Sequence, residues 1–198
     1  LDIEGYYKTL KDITTFSNSL AQIINQPFEY GNATIYGFDV FFKKRWNQYR
    51  AWLSYSLSQT EYLFPTVSSV AFPAPHDQRH KFSLGQVYSW KQFEFSLSWN
   101  IATGRPYNVS DSVVGEYIPS YNDTGYYLAW QPNNVLRLPL FHQLDFSLVY
   151  NFPKKDNQEW KGKLGISFIN IYNRRNVLSK KYFIYEDQDN PGLPQNHG

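Results

Sequence analysis

Between Phe93 and Ile101 apolar and polar residues alternate without a break, with Phe93, Phe95, Leu97, Trp99 and Ile101 set against Glu94, Ser96, Ser98 and Asn100. A strand repeats its side-chain direction every two residues, so these are the two faces of one strand, one oily and one wet. The same pattern predicts seven extended segments near 1–10, 34–45, 49–60, 81–90, 92–102, 140–152 and 160–172, the last continuing past a bend to about 186. Gly, Pro, Asn and Asp gather between them, and no helical period occurs.

The links between segments are of two kinds. Trp46-Asn47-Gln48, Lys91 and the polar run 153–159 are hairpin connections, whereas 11–33, 61–80 and 103–139 are long and rich in rings, Gly, Pro and Asn. Short and long links strictly alternate. In an up-and-down meander alternate links lie at opposite ends of the sheet, so one end is trimmed and the other elaborated. Outer-membrane barrels have that asymmetry.

Rings flank every short turn: Trp46 and Tyr49, Trp90 and Phe93, Phe152 and Trp160. Membrane barrels carry such aromatic girdles where hydrocarbon meets headgroups. The faces agree with this. Tyr36, Phe38, Val40 and Phe42 oppose Gly37, Asp39, Lys43 and Arg45, and Leu144, Phe146, Leu148, Tyr150 and Phe152 oppose Gln143, Asp145, Ser147 and Asn151. Three residues break the pattern: Phe41 on the polar face, Gln86 on the apolar face, and Lys44, whose long stem allows it to snorkel. The expected fold is all-β, an antiparallel up-and-down transmembrane β-barrel, of which about seven strands lie in this chain.

Composition narrows the function classes. A net charge of +2 over 198 residues, with no basic block, gives no footprint for nucleic acid. Cysteine is absent, which excludes thiolate metal sites and suits an oxidising compartment. No apolar run is long enough for a transmembrane helix, no signal peptide opens the chain, and Leu1 starts in mid-pattern. A mean hydropathy of −0.54 fits a soluble protein and a barrel equally, because half of each barrel strand faces water.

Candidate chemistry lies in the long links. Phe72 to His80 carries His76, Asp77 and His80, but Pro73 and Pro75 disfavour the helix that would gather them on a metal, and no metal is expected. Tyr107, Tyr117, Tyr121, Tyr126, Tyr127 and Trp130, with Phe72 and His76, are the loop candidates for ligand binding, since rings stack and phenols donate to sugars, peptides or aromatic chelates. Packing of the loops against one another is the competing reading of the same rings. Charges on the polar face, among them Asp39, Lys43, Arg45, Arg50, Glu94 and Asp145, face a lumen. No hydrolase, nucleotide or dinucleotide motif is present, so no enzyme and no cofactor are expected.

Several stretches resemble the C-terminal part of the barrel of TonB-dependent outer-membrane receptors: Ile3 to Lys8, Tyr36 to Lys44, Trp52 to Leu57, Gly104-Arg105-Pro106-Tyr107, Arg137 to Asp145 and Asn170-Ile171-Tyr172-Asn173-Arg174-Arg175-Asn176. The resemblance spans nearly the whole chain. It implies a barrel of about 22 strands around a plug, with residues 1–198 forming a fragment that lacks the plug, the earlier strands and the final strand. It further implies residence in a Gram-negative outer membrane, contact with its lipid, energy from TonB, and uptake of a scarce oligosaccharide, peptide or metal chelate. A lipoprotein lid or other surface subunit is a possible partner. The alternatives are a soluble or surface β-sandwich that binds a ligand through the same rings, and a receptor-like barrel that serves as a docking subunit. Residues 190–198 read as a loop-like end.

Overall fold

The computed structural model describes residues 1–16, 27–118, 123–130, 136–153, 162–186 and 194–197. Its elements in chain order are β1 (Asp2–Phe16), β2 (Phe28–Trp46), β3 (Tyr49–Leu63), β4 (Phe72–Pro73), β5 (His80–Trp90), β6 (Phe93–Ala102), β7 (Pro106–Tyr107), β8 (Ser110–Ile118), β9 (Asp123–Trp130), β10 (Leu136–Arg137), β11 (Phe141–Asn151), β12 (Lys163–Phe168), β13 (Phe183–Glu186) and β14 (Pro194–His197). Among the described residues there is no helix.

Seven long strands pair antiparallel in the order β1-β2-β3-β5-β6-β11-β12, with β4 added at the upper end of β3. This is the expected meander. Its short-turn end is built from tight two-residue turns in which Asn47 and Lys91 adopt positive φ, 24° and 53°, a geometry that matches the twist of the flanking strands. These two turns are tied sideways to the next strand: Ser89 N–H donates to Gln48 O at 2.8 Å and Asn151 N–H to Gln92 O at 2.8 Å.

Register fixes the faces. Ser147 pairs with Ser96 on one side and Ser167 on the other, and Glu4, Asp39, Ser56 and Lys81 form another polar row. The opposite face carries Phe42, Leu53 and Leu84 in register, then Trp99 and Leu144. Among the described residues the buried hydrophobics are Ala33, Phe64, Ala74, Val87 and Leu138, none of them on the apolar face, whereas Phe42, Trp46, Trp90, Phe152, Leu164 and Ile166 on that face are exposed.

Four expectations change. The link 103–139 is not plain loop: β8 and β9 form a hairpin inside it, and β7 pairs with β10 at its base. Residues 194–197 of the expected loop-like end are a strand paired with β13. β1 and β2 run several residues further than their apolar pattern, across a bulge between Leu10 and Ile13, and end on the Phe16 and Phe28 rings with centroids 5.4 Å apart. β12 is shorter than its pattern and stops at Phe168, for a reason given below. Closure into a barrel is not seen: among the described residues β1 and β12 are open edges.

Candidate functional site

The elaborated end is organised around one buried carboxylate. Asp77 is 1% exposed. Its Oδ1 accepts the Thr60 backbone N–H at 2.8 Å, its Oδ2 accepts Arg137 Nη2 at 2.5 Å, and Arg79 Nη2 lies 3.6 Å away. Arg137 Nη1 also donates to Asp77 O and Gly104 O. A buried charge is tolerable only when paired and hydrogen-bonded, and here one carboxylate joins β3, the link 64–79 and, through Arg137, β10 and Gly104. Gly104 permits the approach, because a side chain there would strike the Leu138 backbone.

Above this node the rings gather on Tyr62. Its ring centroid lies 5.8 Å from Phe64, 6.4 Å from Phe72 and 5.9 Å from His76, all edge-on. Desolvation raises the Tyr62 hydroxyl pKa above its usual 10.0. Phe64 is 2% exposed, so this cluster is in large part the loop's own core. Phe72 and His76 are thus brought together around Tyr62, which the alternation places in the long link 61–80.

The other candidates separate. Tyr107 lies in β7 beneath Lys180, whose Nζ is 5.0 Å from the ring centroid and donates to the phenol at 3.3 Å. Tyr117, Tyr126, Tyr127 and Trp130 belong to the β8–β9 hairpin rather than to loops, with Tyr126 exposed beside Gly115. Tyr121 lies outside the described residues. The His76, Asp77, His80 triplet does not converge: Asp77 is taken by Arg137, and His80 turns to the apolar face, where its Nδ1 is 2.9 Å from Tyr55 Oη. A cleft of about 360 Å³ opens between Ala102, Arg105, Leu138, Phe141 and Val177, with Arg105 its charged wall.

The segment Asn170 to Asn176 has a structural task. Asn170 and Asn173 take positive φ, 55° and 51°. Asn176 Oδ1 accepts the His142 N–H and its Nδ2 donates to the His142 carbonyl, so one side-chain amide imitates a pairing strand. Arg174 donates to Leu140 O, Ile171 N–H to Leu144 O, and Asn170 N–H to the Asp145 carboxylate. These bonds occupy the β11 edge that β12 would need, which ends β12 at Phe168 while leaving few backbone groups unpaired.

Polar groups on the apolar face are also answered. Gln86 accepts the Tyr49 phenol at 2.7 Å. Lys44 Nζ lies 5.8 Å from the Trp46 ring, and Lys91 Nζ 5.1 Å from Trp90. At the far end of this face, Tyr36, His80 and His142 stand ten residues from Trp46, Trp90 and Phe152 respectively. His142 Nδ1 lies 2.7 Å from Tyr172 Oη. From Tyr36 upward the face turns polar, beginning with its cross-strand partner Gln59, which is bonded to Glu61 and Arg79.

No family model matches the chain, and no curated protein or solved structure matches it.

Proposed function

We propose that this chain is the C-terminal part of a TonB-dependent receptor barrel in a Gram-negative outer membrane, which binds a scarce nutrient at its elaborated end and passes it inward. The observation that carries the membrane reading is the exposed apolar band. Ten residues of strand cover about 33 Å, and at the usual tilt near 40° they rise about 25 Å, the height of a barrel's lipid-facing band. Three strands share that length between a lower ring and an upper Tyr or His. A sandwich module needs a second sheet over this row, and among the described residues no strand covers it.

The opposite face supports a lumen. Its small residues, with Ser54, Ser56, Ser58, Ser83, Ser96 and Ser98, leave room inside a coiled sheet, and its charges find water or protein there. Strand direction sets a condition on closure. β1 and β12 are both odd members of an antiparallel series of seven, so they run the same way and cannot pair with each other antiparallel. An odd number of further strands completes the ring. In lipid such edges must be paired, because each unsatisfied backbone group costs several kcal/mol.

Uptake and TonB coupling rest on the resemblance of Tyr36 to Lys44, Arg137 to Asp145 and Asn170 to Asn176. The ligand reading rests on the Tyr62 cluster and the Arg105 cleft, which suit a ligand with a flat or apolar body and polar substituents. The test is made on the full-length protein in cells. Outer-membrane fractionation and heat-modifiable gel migration should both be positive, and uptake should stop when TonB is deleted. A freely soluble monomer overturns the reading.

A further inference from the structure

The short-turn end carries a charge imbalance that the lumen alone does not explain. Among the described residues at that end, Lys43, Lys44, Arg45, Arg50, Lys91 and Lys163 outnumber Asp2 and Glu94, and Glu94 is taken by Arg50 at 2.8 Å. Four of these cations share the polar face or its rim. Lys44 is on the apolar face and Lys91 in the turn, and among the described residues neither makes an ion pair.

Both sit in the same setting. Each ammonium lies within 6 Å of the centroid of a Trp that ends the apolar band, 5.8 Å for Lys44 on Trp46 and 5.1 Å for Lys91 on Trp90. A cation held at an indole face stays at the height where the ring sits, which in a bilayer is the headgroup layer. The Ser89 to Gln48 bond ties the first turn to β5 two residues short of the second, and Lys44 and Lys91 lie about two strand spacings apart laterally, roughly 10 Å. That suits two neighbouring headgroups.

We propose that Lys44 and Lys91, each seated on its tryptophan, form a docking site for the phosphates of anionic phospholipids in the leaflet at the short-turn end. The site rests on the membrane reading above. Rings bury in the acyl boundary while the ammonium groups meet phosphate. Zwitterionic phospholipid offers the same phosphate masked by its own cation, so the site discriminates by net charge.

The test uses the full-length protein reconstituted in vesicles of phosphatidylglycerol and phosphatidylcholine, each in turn brominated on its acyl chains. Quenching of Trp46 and Trp90 is assigned with W46F and W90F. Brominated phosphatidylglycerol should quench both indoles more than brominated phosphatidylcholine in equimolar mixtures. The preference should fall about fivefold with K44Q or K91Q, further in the double variant, and with added salt, while K44R and K91R keep it. Equal quenching by the two lipids, or a preference unchanged in the double variant, overturns the site and leaves the barrel reading intact. Failure of the wild-type protein to float with either vesicle overturns both.

Discussion

The indole of Trp52 fills the space that a side chain at Gly85 would need: a Cβ on Gly85 falls on Trp52 Cε2, Cζ2 and Nε1. The two residues are direct partners across β3 and β5. Tyr6 stands to Gly37 in the same way across β1 and β2, with its hydroxyl 2.8 Å from where that Cβ would be. A ring laid over a glycine covers bare backbone and pins register. G85A should therefore destabilise the sheet by about 1–3 kcal/mol in urea unfolding. Combining it with W52A should cost less than the sum of the two single changes; simple additivity would refute the contact.

Removing Arg137 leaves the Asp77 carboxylate buried beside Arg79 alone, at 3.6 Å. R137M should lower stability by about 3–5 kcal/mol, and R137M with D77N should recover part of it. Limited proteolysis gives a local readout: cleavage within 64–79 and 103–118 should accelerate in R137M well before the strands are cut. Unchanged cleavage would mean that the loops are held by something else.

Gln86 and Tyr49 test the environment of the apolar face. Y49F removes the 2.7 Å bond and should destabilise the protein in bilayers by about 1 kcal/mol. If the face meets lipid, Q86L should be neutral or stabilising there, because it removes a polar group from it. If Q86L proves costly, the residue faces water or protein instead.

The Tyr62 hydroxyl is desolvated in the folded state. Below its usual pKa of 10.0 the phenol is neutral in both folded and unfolded chains, and pH has no effect through it. Above that value the unfolded chain gives up its proton first, so stability falls as pH rises through the raised folded value. Y62F should flatten the alkaline end of the stability curve and remove a late-ionising phenol from a spectrophotometric titration. An unaltered titration would show that Tyr62 is in water.

Residues 34–45, 49–60, 81–90, 92–102 and 140–152 were legible because period-two alternation is a local property, read directly as strand faces. The pairing order followed from which links were short. The β8–β9 hairpin was hidden because its rings, glycines and Asp/Asn residues do not alternate cleanly, and the same rings read equally as loop. Asp77 and Arg137 lie 60 residues apart, and no spacing rule joins them. Tyr62 was passed over because its partners Phe64, Phe72 and His76 come from a loop whose path is not written in any period.

By itself, then, the sequence determined the all-β class, the meander, the two unlike faces and the trimmed and elaborated ends, since each follows from side-chain direction and turn chemistry over a few residues. Tertiary structure decided what depends on distant contacts. It turned Gln86 toward Tyr49, used Asn170 to Asn176 to cap β11, placed a buried carboxylate under two loops, and put the buried residues off the apolar face. The physical reason is the same in each case: alternation says which side chains share a face, and only packing says what that face, or that charge, will meet.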